Sequence, residues 1–161
     1  MLTETKMKKR LNFLSGILET YEKLFPEIYA EGVQAARRKS VKKYIFFPSR
    51  KILWLVVGRS FEYIVTSYQK ETDQEYMFLC SCPDYLFHVL LKARQESLIR
   101  RRYCYHIIAR VYSEREELKK TLGLEYDKNA LPDVIHVEDS YFKDLLKELL
   151  ELEEESTTKE N

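Results

Sequence analysis

All three cysteines of the chain and one of its three histidines fall in two short stretches, Phe78-Leu-Cys80-Ser-Cys82-Pro-Asp84 and Tyr103-Cys104-Tyr-His106. The order is Cys-x-Cys, a 21-residue spacer (83–103), then Cys-x-His. Three thiolates and one imidazole are a tetrahedral zinc set, with bonds of about 2.0–2.3 Å. Four such ligands fill the ion's coordination, so one Zn²⁺ held by Cys80, Cys82, Cys104 and His106 would be structural. The same residues also admit plainer readings. The cysteines could be small buried hydrophobes and His106 a hydrogen-bonded helix residue. Cys-x-Cys could instead be a redox pair, or Cys104 a nucleophile beside a histidine. His88 and His136 lie outside the pattern and read as ordinary residues, with His88 the one that could approach the site as an alternative ligand.

The spacing sets what the chain must do around these ligands. Two cysteines separated by one residue converge on an ion only if the chain leaves its strand in a tight turn, and Pro83 supplies that bend. Cys104 and His106 cannot both be interior to a helix and face one point. Cys104 is therefore expected just before a helix and His106 in its first turn. A metal there would tie the end of a sheet to the start of a helix and stabilise the folded form that binds it.

The elements that could position this set follow from periodicity. Residues 8–25 place Leu11, Leu14, Ile17, Leu18, Tyr21, Leu24 and Phe25 at three- and four-residue steps, predicting an amphipathic helix that Pro26 ends or bends. A second helix is expected from Glu27 to about Lys39, weakened by Gly32. The period then shortens. Val41 to Phe47, Ile52 to Val57, Phe61 to Tyr68 and Tyr76 to Cys80 are rich in β-branched and aromatic residues and separated by hairpin-length turns. They predict an antiparallel meander whose middle strand, Ile52-Leu-Trp-Leu-Val-Val57, is apolar throughout and so covered on both faces. Pro83-Asp84 opens a short helix that is apolar nearly all round, and Tyr105 to Leu122 forms another. A loop, Tyr126 to Pro132, leads to a short segment, Val134 to Val137, and a last helix from Glu138 to about Leu152, which frays into a polar tail.

The expected class is therefore α+β: a small antiparallel meander followed by a zinc-tied helix, with flanking N- and C-terminal helices. Residues 1–40 read as an N-terminal helical segment and 41–122 as meander plus finger. Residues 123–155 form a C-terminal loop and helix, and 156–161 a disordered tail. The 161 residues suit one domain, and 45% hydrophobic content is enough for a core. Lysine and arginine total 27 against 26 acids, so no global field draws nucleic acid, although the basic residues are clustered. No run approaches the roughly 20 apolar residues of a membrane span, and the N-terminus has no signal-peptide pattern. A reducing cytoplasmic setting is expected, nucleoid-associated in a prokaryote.

With its flanking residues, Cys80-x-Cys82-x21-Cys104-x-His106 resembles the SWIM zinc finger. The similarity extends to the preceding Val41-Lys-Lys-Tyr-Ile-Phe46, Trp54-Leu-Val-Val-Gly58 and Glu62-Tyr-Ile-Val65, and to Cys80-Ser-Cys82-Pro83-Asp84 and Cys104-x-His106-Ile-x-Ala109. It covers about residues 41–115. Tyr105 stands where the family often has lysine, without consequence for ligation. The long spacer with its apolar helix, and the small size of the chain, resemble the recombination-associated branch. Members of that branch pair with RecA-family recombinase paralogs in Shu-type complexes that assist homologous repair.

The resemblance implies one structural zinc and a non-catalytic interaction module in homologous recombination and DNA repair, with a recombinase paralog as partner. It places the partner contact on Leu86, Phe87, Val89, Leu90 and Leu91. These apolar residues could equally be core or the contact of a homo-oligomer. Arg100, Arg101 and Arg102, beside Cys104, are the best candidates for phosphate contact, with Arg37, Arg38 and Lys39 second; a solvated basic loop is the plain alternative. A stand-alone DNA-binding zinc-finger protein, acting in transcription or chromatin, is the other functional reading. An enzyme is not expected. Gly58-Arg-Ser-Phe-Glu62 lacks the spacing of a phosphate loop, and no paired-carboxylate or Ser/His constellation stands out.

Overall fold

The computed structural model describes residues 2–69, 76–86 and 102–149. The first helix, α1 (Glu4–Leu24), starts a turn earlier than its apolar stripe because Thr3 caps it, its Oγ1 accepting from the Lys6 N–H at 3.3 Å. The stripe buries Leu14, Leu18 and Tyr21, as the spacing requires. Pro26 occupies the first position of α2 (Pro26–Arg37), where its missing N–H costs nothing, and the chain bends at Phe25 between the two helices. The α2 helix ends at a left-handed residue, Lys39 (φ 62°), whose Nζ donates to the Lys128 and Leu131 carbonyls at 3.3 and 3.0 Å.

Strands β1 (Val41–Phe47), β2 (Ile52–Val57), β3 (Glu62–Gln69) and β4 (Tyr76–Cys80) form the expected antiparallel meander. Along β2, Trp54, Leu55 and Val56 are all buried because the strand is covered on both sides. Trp54 and Val56 join the larger core with α3 (Tyr105–Thr121), α1 and α2. Leu55 joins Tyr44 and Phe46 in a smaller core closed by Leu145 and Leu149 of α4 (141–149). Each of these fully buried aliphatic side chains contributes about 1.5–3 kcal/mol relative to exposure.

Two features depart from expectation. The short segment after the loop is a fifth strand, β5 (Asp133–Glu138), lying parallel to β1 at the sheet edge, so the sheet is mixed, with order β4-β3-β2-β1-β5. Its alternation turns Ile135 and Val137 into the smaller core and leaves Val134 exposed. The last helix begins at 141 rather than Glu138, because Glu138 is still paired with Phe47 in the sheet. Asp139 then makes the turn, accepting from the N–H and Oγ of Ser49 at 3.1 and 2.7 Å. The α+β class stands. No helix among the described residues is long and apolar enough to cross a membrane.

Candidate metal centre

The four ligand candidates come from the two places the spacing pointed to. Cys80 is the last residue of β4, and Cys82 follows in the loop just before a helical turn that starts at Pro83. The bend is held from both sides. The Ser81 N–H donates to the Ile64 carbonyl at 3.1 Å, and Ser81 Oγ accepts from the Ile64 N–H at 3.0 Å, so the loop stays pinned to β3. The Tyr85 N–H then donates to Cys82 Sγ at 3.2 Å. At the other stretch Cys104 is the extended N-cap residue of α3 (φ −87°, ψ 172°) and His106 stands in the first turn. Tyr21 of α1 fixes the approach to Cys104, its hydroxyl accepting from the Arg102 and Tyr103 N–H groups at 2.9 and 2.7 Å.

The result is one buried cluster. One ligand atom from each of Cys80, Cys82, Cys104 and His106 lies within 4.8 Å of every other. Cys104 Sγ and His106 Nδ1 are 3.8 Å apart, close to the roughly 3.6 Å separating a sulfur and a nitrogen bound to one tetrahedral zinc. All three cysteines are free of disulfides, and none of the four residues is more than 5% exposed.

Crowding three thiols in a buried site makes them share hydrogen bonds and charge. Hydrogen bonds from Cys104 and Cys80 draw the Cys82 thiol well below the ordinary range. Hydrogen bonds with Cys104 and Cys82 push the Cys80 thiol far upward, and burial pushes Cys104 to about 12. The cluster by itself thus resists ionising all three thiols together. A divalent soft cation is the charge that lets all three ionise together. The donor types, their burial and their mutual distances fit one such ion, with Cys80, Cys82, Cys104 and His106 as its ligands. A filled set of this kind ties β4 to α3.

The other candidate residues are more dispersed. Arg37 is engaged with Asp127, Nε to Oδ2 at 2.8 Å, and Lys39 caps the Lys128 and Leu131 carbonyls; Arg38 is exposed. Arg102 is exposed beside Cys104, whereas Arg100 and Arg101 lie outside the described residues. Of the apolar residues after Asp84, Leu86 is described and is 45% exposed. Phe87, Val89, Leu90 and Leu91 lie outside the described residues, as does His88; His136 is exposed on β5, away from the pattern.

The supporting roles of Tyr21 and Ser81 are not visible in the sequence. Periodicity marks Tyr21 as a core position but gives no sign of its hydroxyl. A serine between two cysteines carries no signal of its own. A comparison with protein-family models finds no match to the chain, and comparisons with curated proteins and with solved structures find none either.

Proposed function

We propose that the chain is a non-catalytic zinc-stabilised module of the SWIM type, binding a RecA-family recombinase paralog in homologous recombination. The observation that carries the reading is the buried Cys80, Cys82, Cys104 and His106 cluster at the junction of strand end and helix start. Zinc is the metal because three thiolates with one imidazole in a tetrahedral arrangement are its usual structural set. The recombinase partner rests on the SWIM resemblance and on the apolar stretch between the two ligand pairs. Of its described side chains, Tyr85 is buried in the core and Leu86 faces solvent. The absence of catalysis rests on the ligand set being complete, with no position left for water or substrate.

DNA enters this reading as a secondary contact. Arg37 and Lys39 are already engaged within the fold, which leaves Arg102 and its basic neighbours in sequence as the stronger candidates. The test is co-expression of the full chain with a recombinase paralog from the same organism, together with metal analysis of the purified protein. One zinc per chain and a stoichiometric complex that Leu86→Glu dissolves support the proposal. A zinc protein that binds duplex DNA alone, with affinity falling steeply in salt, and ignores the paralog would favour the stand-alone DNA-binding reading.

A further inference from the structure

Neutral histidine offers a metal either ring nitrogen, and the choice is set by what surrounds the ring. Here the two nitrogens have very different neighbours. Nδ1 is the atom facing Cys104 Sγ, at 3.8 Å. Nε2 is buried and has no hydrogen-bond partner among the described residues. It lies against Gly58, in the turn between β2 and β3: a β-carbon there would be 3.1 Å from Nε2 and 2.6 Å from Cε2 of Tyr63. Two tyrosine rings pack on the imidazole, Tyr105 with its centroid at 3.9 Å and Tyr63 at 4.8 Å.

We infer that His106 takes the metal through Nδ1, and that Gly58, Tyr63 and Tyr105 are positioning residues that hold the ring in that orientation. The inference rests on the metal reading above and adds which atom binds and what aims it. Residue 58 must lack a side chain, because the imidazole edge and the Tyr63 ring occupy the space that a β-carbon needs. The Gly58 turn is fixed by its own N–H, which donates to the Phe61 carbonyl at 2.7 Å, so the backbone cannot simply retreat. Tyr105 gains a role of its own: between the last two ligands it is a ring that packs on the histidine. In many metal sites the second ring N–H is held by a hydrogen-bond acceptor. Here packing takes that place.

The experiment uses the full chain labelled with ¹⁵N-histidine and loaded with ¹¹³Cd²⁺ in place of zinc, read by long-range proton–nitrogen spectra. The expected result is cadmium coupling on Nδ1 of His106 with a protonated Nε2. Coupling on Nε2 overturns the inference and leaves the metal reading intact. A chain that takes up neither zinc nor cadmium overturns both. Gly58→Ala should weaken metal affinity at least tenfold and shift the visible bands of the Co²⁺-loaded protein. Tyr105→Ala should do the same and Tyr105→Phe should not. Affinity and spectra unchanged in both Gly58→Ala and Tyr105→Ala would overturn the positioning roles.

Discussion

His106 and Arg110 lie four residues apart on α3, hence on one face of it, and both are buried polar side chains facing the sheet. Their surroundings differ completely. Arg110 finds most of its partners within the fold: Nη1 donates to the Val65 carbonyl at 2.7 Å and Nη2 to Ser67 Oγ at 3.4 Å, while its buried Nε has no hydrogen-bond partner among the described residues and faces Glu114 as an ion pair. Its guanidinium lies about 5 Å from the centroids of both Trp54 and Phe78 (5.0 and 5.1 Å). Glu114 stands nearby at 3.8 Å and is gripped by Arg10, which donates to both carboxylate oxygens at 3.0 and 3.2 Å. Burial lowers the Arg110 pKa to about 10, so it remains charged at neutral pH. One turn earlier, three thiols and an imidazole lie within 4.8 Å of one another, and ionising all three thiols would place three negative charges together in a buried site. The difference is one of closure. A buried polar group is tolerated when its partners are built into the fold, and a cluster whose charges cannot be balanced internally marks where something from outside belongs.

The largest expected effect tests that contrast directly. Chelating the metal should lower the melting temperature on the order of 10 °C, since an ion at a thousandfold excess over its dissociation constant stabilises by about 4 kcal/mol. Arg110→Met should respond to chelation as the parent does, whereas Cys82→Ser should melt low and not respond at all. Calorimetry with and without chelator reads all three. A parent indifferent to the chelator would mean that the thiol cluster is as self-sufficient as the Arg110 site, and the contrast would collapse.

The Arg110 side should break differently. Arg110→Ala should cost about 3–5 kcal/mol in urea unfolding, because it leaves a cavity between Trp54 and Phe78 and strands the Val65 carbonyl. Arg110→Met refills most of that volume and should recover about half of the loss. Equal costs for the two variants would show that hydrogen bonds, not packing, dominate.

Much of this was legible beforehand because it depends on local pattern. The meander strands have bounds that follow turn residues and β-branched runs, and three of the four begin and end where that pattern places them. The positions of Cys104 and His106 at the start of α3 followed from the geometry of a one-residue spacing. What escaped was non-local. Strand β5 pairs with β1 across about 90 residues of sequence, and six residues of mixed pattern do not announce a parallel partner. Arg110 reads as one more charge on a polar helix; only the convergence of β2, β3 and β4 beneath it makes it a hub. Gly32 reads as a flaw in α2, yet it is where α2 and α3 touch.

The close approach at Gly32 has a measurable consequence. A β-carbon there would stand 2.6 and 2.8 Å from side-chain atoms of Ile108 and 3.0 Å from the Tyr105 carbonyl, on either side of His106. Gly32→Ala should therefore push the start of α3, cost about 1–3 kcal/mol, and weaken metal binding more than it disturbs the Arg110 contacts. Gly16 is the counterpart. It lies within α1, and a β-carbon there would meet nothing within 4 Å, so Gly16→Ala should add about 0.5–1 kcal/mol and leave metal affinity unchanged. Loss of metal affinity in Gly16→Ala would mean that α1 governs the centre more strongly than its Tyr21 contact implies.

The smallest effect lies beyond the C-terminal end of α3, where Asp127 accepts from Arg37 Nε at 2.8 Å, the Tyr112 hydroxyl at 3.1 Å and the Asn129 N–H at 3.1 Å. The hydrogen bond from Arg37 holds this carboxyl below its ordinary value of 3.8. A group whose pKa is lowered by folding stabilises the fold above its unfolded value and loses that contribution as pH falls through the folded one. Asp127→Asn should accordingly cost under about 1 kcal/mol at pH 7, since Arg37 is half exposed and solvent screens the pair. The difference from the parent should fade below about pH 4. Urea unfolding of both chains at pH 7 and pH 3 measures it. A cost that persists unchanged at pH 3 would mean that Asp127 acts through the Asn129 turn it caps, in either protonation state, and not through charge.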